Sequence, residues 1–305
     1  MKILIATEKP FAKIAVEGIC EILKKSNHEV KLLEKYKDVE ELYAAVEDAD
    51  ALIVRSDKVT AEVVERAKNL KIVVRAGAGY DNLDLASCTK KGIVCMNTPG
   101  QNSNAVSELA IAFMLFMSRN QFTAGSGKEM KDKCLGIHAY GNVGKLVAKI
   151  ARGFGMTVYA FDPFVKADVI EQDGVIALES IEELYSTCDF VSLHIPANEK
   201  TKKSINYELL SIMPKNSCLV NTARKEVIDE DDLMKILKER EDLKYISDIS
   251  ADNQEIMNEE FGLRVFATPK KMGAETAEAN INAGLAAANQ IVNFFGNGDV
   301  RFKVN

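Results

Sequence analysis

The stretch that decides the fold is Leu135-Gly136-Ile137-His138-Ala139-Tyr140-Gly141-Asn142-Val143-Gly144-Lys145-Leu146, in which an apolar run passes through a short turn into a helical pattern. The turn reads A-x-G-x-x-G, where a dinucleotide-binding turn normally reads G-x-G-x-x-G. Gly141 would let the backbone approach a pyrophosphate, and Gly144 would let the helix pack closely on the strand. Ala139 replaces the first glycine. We expect it to keep a negative φ, because alanine is strained at positive φ.

An acidic residue ends the next predicted strand. Asp162 follows the glycines by about 20 residues, the spacing at which a carboxylate binds both ribose hydroxyls of a dinucleotide. The same carboxylate would repel a 2′-phosphate, and Pro163-Phe164 offer no cation to accept one. The sequence therefore predicts NAD rather than NADP. The alternative is a structural aspartate that caps the following turn.

Short apolar runs alternate with amphipathic stretches along the whole chain. The runs are apolar on both faces, which is typical of parallel sheets covered by helices. A long apolar helix over about 102–119 is expected to be buried between layers. Two successive series of strands and helices predict an α/β fold with two doubly wound parallel-sheet domains. The predicted strands are Lys2–Thr7, Glu29–Leu33, Ala51–Arg55, Lys71–Arg75, Ile93–Asn97, Cys134–His138, Thr157–Asp162, Phe190–Ile195, Ser217–Thr222, Tyr245–Ile249 and Val265–Thr268.

Length and composition agree with two domains and exclude several classes of protein. The chain has 305 residues and a net charge of -6, which argues against a general nucleic-acid binder. No apolar run approaches the ~20 residues of a membrane helix, and we do not expect the first residues to form a signal peptide. The six cysteines form no C-x-x-C pair, so we expect reduced thiols, no metal site and a cytoplasmic location.

Cationic residues follow several of the predicted strands. Arg55, Arg75 and Arg224 each stand at or just beyond a strand end, and Lys270 and Lys271 follow the last strand. Ligands of open α/β sheets bind at the carboxyl ends of the strands. An acidic chain with this basic edge is expected to bind a small, multiply charged anion. The alternative for each residue taken singly is a solvated loop charge.

Three further stretches carry a family resemblance. They are Arg75-Ala76-Gly77-Ala78-Gly79-Tyr80-Asp81-Asn82, Asn97-Thr98-Pro99-Gly100-Gln101-Asn102-Ser103 and Val220-Asn221-Thr222-Ala223-Arg224-Lys225-Glu226-Val227-Ile228-Asp229. Together they resemble the D-2-hydroxyacid dehydrogenase family over essentially the whole chain. Within it, the motifs are most similar to those of the phosphoglycerate dehydrogenases.

This resemblance implies a discontinuous architecture. A Rossmann NAD-binding domain over residues 99–279 would be inserted into a flavodoxin-like substrate-binding domain formed by residues 1–98 and 280–305. The family also implies a homodimer that associates through the NAD-binding domain. The chain ends near the point where longer members add a serine-binding regulatory domain, so feedback by serine is not expected.

The resemblance also assigns catalytic residues, with two departures. Arg224 matches the family's arginine, which holds the substrate carboxylate. The family's histidine is missing from the stretch Thr268-Pro269-Lys270-Lys271-Met272-Gly273-Ala274. Counting back from Gly273-Ala274 puts Lys271 at the histidine position. Counting on from Pro269 puts Lys270 there. We favour Lys271. The family's glutamate falls near Asn253 and is also absent, as in a lysine-type subgroup of short phosphoglycerate dehydrogenases.

The two losses are chemically consistent with each other. A carboxylate beside a histidine raises the imidazole pKa from ~6.5, whereas a lysine starts at ~10.4 and must be lowered to act as a base near neutrality. Removing the glutamate and leaving Arg224 nearby would lower the pKa of the lysine. We therefore expect Lys271 to take the C2 hydroxyl proton. Of the three histidines, His138 is expected to be structural and His28 to have no role in the chemistry.

The remaining site residues are carried over from the family motifs. Substrate binding is expected at Arg55, Ser56, Arg75, Gly77 and Asn102, with the arginines and the serine on a phosphate and the Gly77 and Ala78 amides facing substrate or nicotinamide. Cofactor binding is expected at Ala78, Gly141, Asn142, Val143, Gly144, Asp162, His194, Ile195, Pro196, Thr222, Ala223 and Asp248.

The resemblance thus implies NAD-dependent oxidation of a phosphorylated 2-hydroxy acid, D-3-phosphoglycerate. No nucleic acid or membrane partner is expected. Three alternatives stay open at this point: another D-2-hydroxyacid dehydrogenase, an NAD-sensing interaction protein of the same fold, and a Rossmann methyltransferase, against which the second α/β unit argues.

Overall fold

The computed structural model describes every residue from Met1 to Asn305. The chain divides into two compact units: unit 1 comprises Met1–Asn102 and Glu275–Asn305, and unit 2 comprises Ser103–Ala274. Each unit is built around one sheet in which every strand pair is parallel. The predicted fold class, two parallel-sheet α/β domains, is confirmed.

Unit 1 has a five-stranded sheet in the order β2-β1-β3-β4-β5. The order reverses between β1 and β3, and such a switch point opens a crevice at the carboxyl ends of the strands. The strands are β1 (Lys2–Thr7), β2 (Glu29–Glu34), β3 (Ala51–Val54), β4 (Ile72–Arg75) and β5 (Val94–Asn97). The helices are α1 (Lys13–Lys25), α2 (Val39–Val46), α3 (Ala61–Arg66), α4 (Leu85–Lys90) and, at the end of the chain, α12 (Ala277–Asn297).

Unit 2 has a seven-stranded sheet in the order β12-β11-β10-β9-β6-β7-β8, with its switch point between β6 and β9. The strands are β6 (Cys134–His138), β7 (Thr157–Phe161), β8 (Ile176–Ala177), β9 (Phe190–Leu193), β10 (Cys218–Asn221), β11 (Lys244–Ser247) and β12 (Val265–Ala267). The helices are α5 (Ser103–Ser118), α6 (Asn142–Gly153), α7 (Ala167–Gln172), α8 (Ile181–Thr187), α9 (Tyr207–Ser211), α10 (Glu230–Glu239) and α11 (Gln254–Phe261).

Two elements differ from the prediction. The edge strand β8 is absent from the predicted set, because two residues are too few to show an alternating pattern. Helix α5 is not buried all round: Asn104, Glu108 and Ala112 are exposed at a spacing of four residues, which forms one stripe along the helix. Its opposite faces are buried and pack largely on α6.

Two properties concern the chain as a whole. None of its helices combines the length and the apolar character that crossing a membrane requires. All six cysteines are free thiols, and four of them, Cys88, Cys95, Cys188 and Cys218, are buried.

Candidate active site

The turn after β6 has a conformation that contradicts the prediction for its first residue. Ala139 has a φ of 79°, in the left-handed region, whereas we expected a negative value. Left-handed conformations cost L-residues roughly 1–2 kcal/mol. The neighbouring hydrogen bonds hold the turn in place: the Ala139 amide donates to the Phe161 carbonyl at 2.9 Å, and the Tyr140 amide donates to Asp162 Oδ2 at 2.8 Å. The alanine therefore adopts the backbone shape that glycine usually supplies.

The two glycines of the turn meet different surroundings. A Cβ atom on Gly144 would lie 2.4 Å from the Ala139 carbonyl oxygen and 2.9 Å from Ile137 Cγ2, so α6 can pack at this distance only because no side chain is present. A Cβ atom on Gly141 would meet nothing within 4 Å. Open space beside an exposed glycine at the N-terminus of α6 fits a pyrophosphate, which the first amides of the helix would bind.

Asp162 follows β7 and caps two turns. Its Oδ2 accepts from the Tyr140 amide and its Oδ1 accepts from the Phe164 amide at 2.9 Å. The capping role that we considered as an alternative is therefore present. Each carboxylate oxygen can accept a second hydrogen bond, and the side chain is partly exposed, so a ribose contact is compatible with this geometry.

Two histidines lie side by side at the switch point of unit 2. His138 ends β6 and His194 follows β9, and the His194 amide donates to the His138 carbonyl at 3.0 Å. The His194 Nδ1 lies 3.4 Å from Thr222 Oγ1, but its buried Nε2 has no hydrogen-bond partner. Burial lowers the pKa of His138 to about 4 and, together with the neighbouring His138, that of His194 to about 3. Both rings are neutral at physiological pH.

A lysine and an arginine converge on one carbonyl group. Lys271 Nζ donates to the Ala223 carbonyl oxygen at 2.7 Å, and Arg224 Nη1 donates to the same oxygen at 3.0 Å. Burial, followed by the Arg224 charge, lowers the pKa of Lys271 to about 8, against a smaller opposing effect of Asp248. Lys270 is exposed. Of the two candidate lysines, Lys271 is thus the one held in a partly desolvated, cationic environment.

The loop that carries Lys271 is anchored by Asp248. Its Oδ1 accepts from the Met272 amide at 2.8 Å and from Thr268 Oγ1 at 3.2 Å, and its Oδ2 accepts from the Gly273 amide at 2.7 Å. Asp248 is only 1% exposed. We expected Asp248 to contact the cofactor, but the structure uses both of its oxygens to hold this loop.

Asn221, the last residue of β10, is a positioning residue that sequence reasoning missed. Its Oδ1 accepts from the Ala223 amide at 2.9 Å, and its Nδ2 donates to the Arg224 carbonyl at 3.0 Å. Both ends of one buried amide thus brace the turn on which the two cations meet. The only available signal was an asparagine at a strand end, where amide side chains commonly bond to the following turn.

The position of the family's glutamate holds no carboxylate directed at Lys271. Asn253 precedes α11, and Asp252 is exposed and forms an ion pair with Lys225. No carboxylate forms a hydrogen bond or an ion pair with Lys271. The remaining predicted cofactor residues of unit 2 lie at or just after strand ends or at the start of α6: Asn142, Val143, Ile195, Pro196 and Thr222.

In unit 1, Arg55 is fixed by contacts on several sides. Its Nη1 donates to the carbonyl oxygens of Lys9 at 3.3 Å and Pro10 at 3.1 Å, and its Nη2 donates to Asn280 Oδ1 at 2.5 Å. The guanidinium carbon lies 5.3 Å from the centre of the Phe11 ring. Asn280, on α12, is another partner that the sequence did not indicate.

Arg75 lies beside Arg55 and over Gly77. Arg75 Nε donates to the Arg55 carbonyl at 2.9 Å. A Cβ atom on Gly77 would fall 1.5 Å from Arg75 Nη1, and Gly77 has a φ of 153°, so a side chain at this position would displace the guanidinium. The structure thus brings the two predicted phosphate-binding arginines together within unit 1.

The other predicted residues of unit 1 are placed less uniformly. The Gly77 amide, which we expected to face substrate or nicotinamide, donates to the Arg75 carbonyl at 2.9 Å. The Ala78 amide has no acceptor within the chain, and Asn97 Nδ2 holds the Ala78 carbonyl at 2.6 Å. Ser56 is exposed, and Asn102 is half-buried at the end of the first segment of unit 1.

A buried aspartate organises the same edge of unit 1 and was also missed. Asp57 is 2% exposed. Its Oδ1 accepts from the Glu8 amide at 2.6 Å and from the Tyr36 hydroxyl at 2.9 Å, and its Oδ2 accepts from the Arg55 amide at 3.3 Å. It ties the loop after β1 to the loop after β3, from which Arg55 projects.

Comparison with known proteins now defines the family. Residues 110–270 match the family described as D-isomer specific 2-hydroxyacid dehydrogenase, NAD binding domain. The chain belongs to this family. Unit 2 therefore carries the NAD-binding domain of a D-isomer specific 2-hydroxyacid dehydrogenase, in agreement with the geometry of the turn after β6 and with the predicted cofactor.

Individual relatives extend the likeness beyond that domain. The chain is 38% identical over 86% of its length to D-3-phosphoglycerate dehydrogenase of Methanocaldococcus jannaschii, and 35% identical over 87% to hydroxypyruvate reductase of Thermotoga maritima. It spans 54% of the first relative's length and 91% of the second's. The crystal structure of NAD⁺-bound 3-phosphoglycerate dehydrogenase from Entamoeba histolytica aligns with a TM-score of 0.89 and 51% identity, covering 100% of this chain and 98% of that one.

Proposed function

We propose that the chain catalyses NAD-dependent oxidation of D-3-phosphoglycerate to 3-phosphohydroxypyruvate, the first step of phosphorylated serine biosynthesis. The observation that carries the proposal is the pair formed by Lys271 and Arg224 on the Ala223 carbonyl. It places a base with a pKa of about 8 beside a guanidinium suited to a carboxylate. The similarity to phosphoglycerate dehydrogenases supports the choice of substrate.

The cofactor would be held at the switch point of unit 2. The amides at the start of α6 and the open space beside Gly141 suit the pyrophosphate, and Asp162 suits the adenosine ribose. When bound, NAD⁺ supplies the acceptor for the hydride that leaves C2 of the substrate. Neutral His194, whose Nε2 is buried, and buried Thr222 lie at the same strand ends.

Lys271 would perform the proton transfer. In the oxidation direction, its neutral amine accepts the C2 hydroxyl proton as the C2–H bond breaks, and C2 becomes the keto carbon. In the reverse direction, the ammonium returns this proton to the keto oxygen. Arg224 binds the adjacent carboxylate bidentately and stabilises negative charge that develops on the oxygen. Asp248 and Asn221 hold these two cations in position without touching the substrate.

In unit 1, we assign Arg55 and Arg75, with Ser56, to the substrate phosphate. The guanidinium of Arg55 is preorganised by carbonyl acceptors and by the Phe11 ring, which reduces the entropy lost on binding an anion. Gly77 leaves the space that the Arg75 guanidinium occupies. Each arginine can form bidentate hydrogen bonds to a phosphate.

The catalytic assignment is tested by replacing each of the two adjacent lysines separately with alanine. We expect Lys271→Ala to abolish turnover of D-3-phosphoglycerate, followed by the absorbance of the reduced cofactor, while NAD⁺ still binds by fluorescence titration. Lys270→Ala is the matched control, because it removes an exposed lysine one residue away, and it should retain most of the activity. Near-normal turnover by Lys271→Ala would contradict the assignment.

The substrate is tested with a panel of hydroxy and keto acids. D-3-Phosphoglycerate is compared with D-glycerate, D-lactate and erythronate 4-phosphate, and hydroxypyruvate is included because of the similar-length hydroxypyruvate reductase. Arg75→Gln should raise KM for the phosphorylated substrates and leave KM for D-glycerate nearly unchanged. A preference for hydroxypyruvate would favour that second function, and flat traces with every compound would favour an NAD-sensing interaction protein.

We further propose a cytoplasmic homodimer. Its support is the free state of all six thiols and the family membership. Light scattering of the purified chain at several concentrations measures the oligomeric state directly, and a monomer at every concentration would contradict it.

A further inference from the structure

Unit 2 contains a cavity of about 130 Å³ at the amino ends of its strands, opposite the edge described above. We call it the amino-edge cavity. Its charged lining residues are Lys128, Glu129, Lys133, Asp189, Lys215 and Lys244. The loops before β6, β9 and β10 and the first residue of β11 contribute most of them, so four neighbouring parallel strands converge on it.

The charges around the amino-edge cavity are unbalanced. Four lysines and two carboxylates line it. None of the four lysines forms an ion pair within 4 Å. This cationic excess lies in a chain that is acidic as a whole. The Asp189 Oδ2 accepts from the Cys134 amide at 2.8 Å, so part of its charge is already used by the backbone. A local excess of unpaired cations in an acidic protein indicates a site for an anion.

Lys244 is the most enclosed of these lysines. Its Nζ donates to the Met117 carbonyl at 2.9 Å and lies 3.5 Å from Asn120 Oδ1, which leaves one further donor. Burial lowers the pKa of Lys244; Cys218 opposes this effect in part, and Lys128 adds a smaller lowering. The cavity therefore destabilises a positive charge in the absence of an anion.

The turn that places Asn120 is strained. Asn120, Gln121 and Phe122 all have positive φ values, 49°, 54° and 57°. Three consecutive non-glycine residues in the left-handed region are energetically unfavourable. Gln121 Nε2 compensates in part by donating to the carbonyl oxygens of Leu263 at 3.2 Å and Val265 at 2.9 Å. Strain that persists beside a cavity is typical of a functional position.

We propose that the amino-edge cavity binds a tetrahedral oxyanion, either inorganic phosphate or the phosphoryl group of a small phosphomonoester. Its volume of about 130 Å³ is large enough for such an anion. Lys133 and Lys215 would pair with the anion from two strand ends, and Lys244 would offer its remaining donor. The inference does not depend on the proposed dehydrogenase activity.

The test uses the full chain in an Arg55→Gln/Arg75→Gln background, which removes both arginines that we assign to the substrate phosphate in unit 1. Calorimetric titration with inorganic phosphate and with glycerol 1-phosphate, at constant ionic strength in chloride buffer, should detect binding. Adding Lys133→Gln and Lys215→Gln should weaken it at least about tenfold. The matched control, Lys149→Gln with Lys202→Gln, removes two exposed lysines of unit 2 outside the cavity and should leave affinity unchanged.

Each outcome has a defined meaning. Tighter binding of inorganic phosphate identifies the free ion as the ligand, and tighter binding of the ester identifies a phosphorylated metabolite. The proposal is overturned if the Lys133/Lys215 variant binds as tightly as the Lys149/Lys202 control. It is also overturned if the background protein, with all four lysines intact, binds neither inorganic phosphate nor glycerol 1-phosphate. If the cavity variant does not fold, lysine acetylation of the wild-type chain, mapped by mass spectrometry, replaces it. Phosphate should then protect Lys133 and Lys215 but not Lys149, and uniform labelling contradicts the proposal.

Discussion

Unit 2 buries a nitrogen base in two places, and burial has opposite chemical consequences in them. At the switch point, desolvation takes His194 from an ordinary pKa of 6.5 to about 3. In the loop after β12, desolvation takes Lys271 from 10.5 to about 8. The physical effect is the same, because low-dielectric surroundings disfavour the charged form of either group. It leaves the histidine neutral throughout the physiological range and brings the lysine into the range in which a general base is effective.

The neighbours of the two groups strengthen the contrast. His194 faces His138, whose charge would lower its pKa further, and its Nε2 has no partner. The charge of Arg224 lowers the pKa of Lys271, and the charges of Asp248 and Glu226 raise it in part. The lysine pKa is therefore set by opposing charges that mutation can change one at a time, and this makes the comparison testable.

The largest expected effect comes from Lys271→Arg. A guanidinium stays protonated at any accessible pH, so it preserves the charge beside Ala223 but cannot accept the C2 hydroxyl proton. We expect kcat for oxidation to fall by about 10²–10⁴-fold, the usual range for loss of a general base. Steady-state kinetics at pH 8 measure it. Retention of wild-type kcat would show that the positive charge, and not proton transfer, is the contribution of Lys271.

The next largest effect is the pH dependence of the wild-type reaction. Because the pKa of Lys271 is lowered to about 8, the neutral amine becomes the minor form below this pH. The oxidation rate should therefore fall about tenfold per pH unit below 8 and level off above it, whereas the reduction rate should fall as pH rises through 8. His194→Leu is the control: it removes the other buried base and should leave the midpoint unmoved. If the pH midpoint of the oxidation rate moves in His194→Leu, then His194 and not Lys271 is the titrating base.

Asp248→Asn should have a smaller, two-part effect. The amide cannot accept from both the Met272 and the Gly273 amides, so one buried donor loses its partner, which costs about 1–3 kcal/mol of stability in urea denaturation. Removing the charge also removes an influence that raises the pKa of Lys271, so the pH midpoint should shift below 8. Asp252→Asn, at an exposed ion pair with Lys225, should change neither quantity. If the pH midpoint of Asp248→Asn does not shift, Asp248 anchors the loop without influencing the pKa of Lys271.

The smallest expected effect concerns the turn beside the histidines. Ala139→Gly should stabilise the chain by roughly 1 kcal/mol, because glycine adopts a φ of 79° without strain and this outweighs its greater entropy when unfolded. The paired variant Gly144→Ala should lower stability and NAD⁺ affinity, since its Cβ would lie 2.4 Å from the Ala139 carbonyl. Thermal denaturation with and without NAD⁺ measures both. Destabilisation by Ala139→Gly would mean that the alanine methyl makes a compensating contact.

Much of the fold was predictable because it depends on local patterns. Apolar runs of strand length identified most strands, and the A-x-G-x-x-G pattern identified the turn between β6 and α6. The exposed stripe of α5 was not predictable, since Ala112 is apolar and a pattern cannot show which apolar positions a partner element covers. The two-residue strand β8 left no pattern at all.

Local sequence patterns were enough to indicate the class of chemistry: a nucleotide-binding turn, arginines at strand ends, and lysines where a histidine is usual. The tertiary structure adds that Lys270 is exposed and Lys271 is partly buried, because the Asp248 contacts with Met272 and Gly273 set how the loop turns these adjacent residues. The contacts of Asn221 and Asp57 were likewise visible only in the folded chain. The same holds for the amino-edge cavity, whose lysines come from separate parts of the sequence. Burial and charge, which set the pKa of Lys271, exist only once those distant residues have come together.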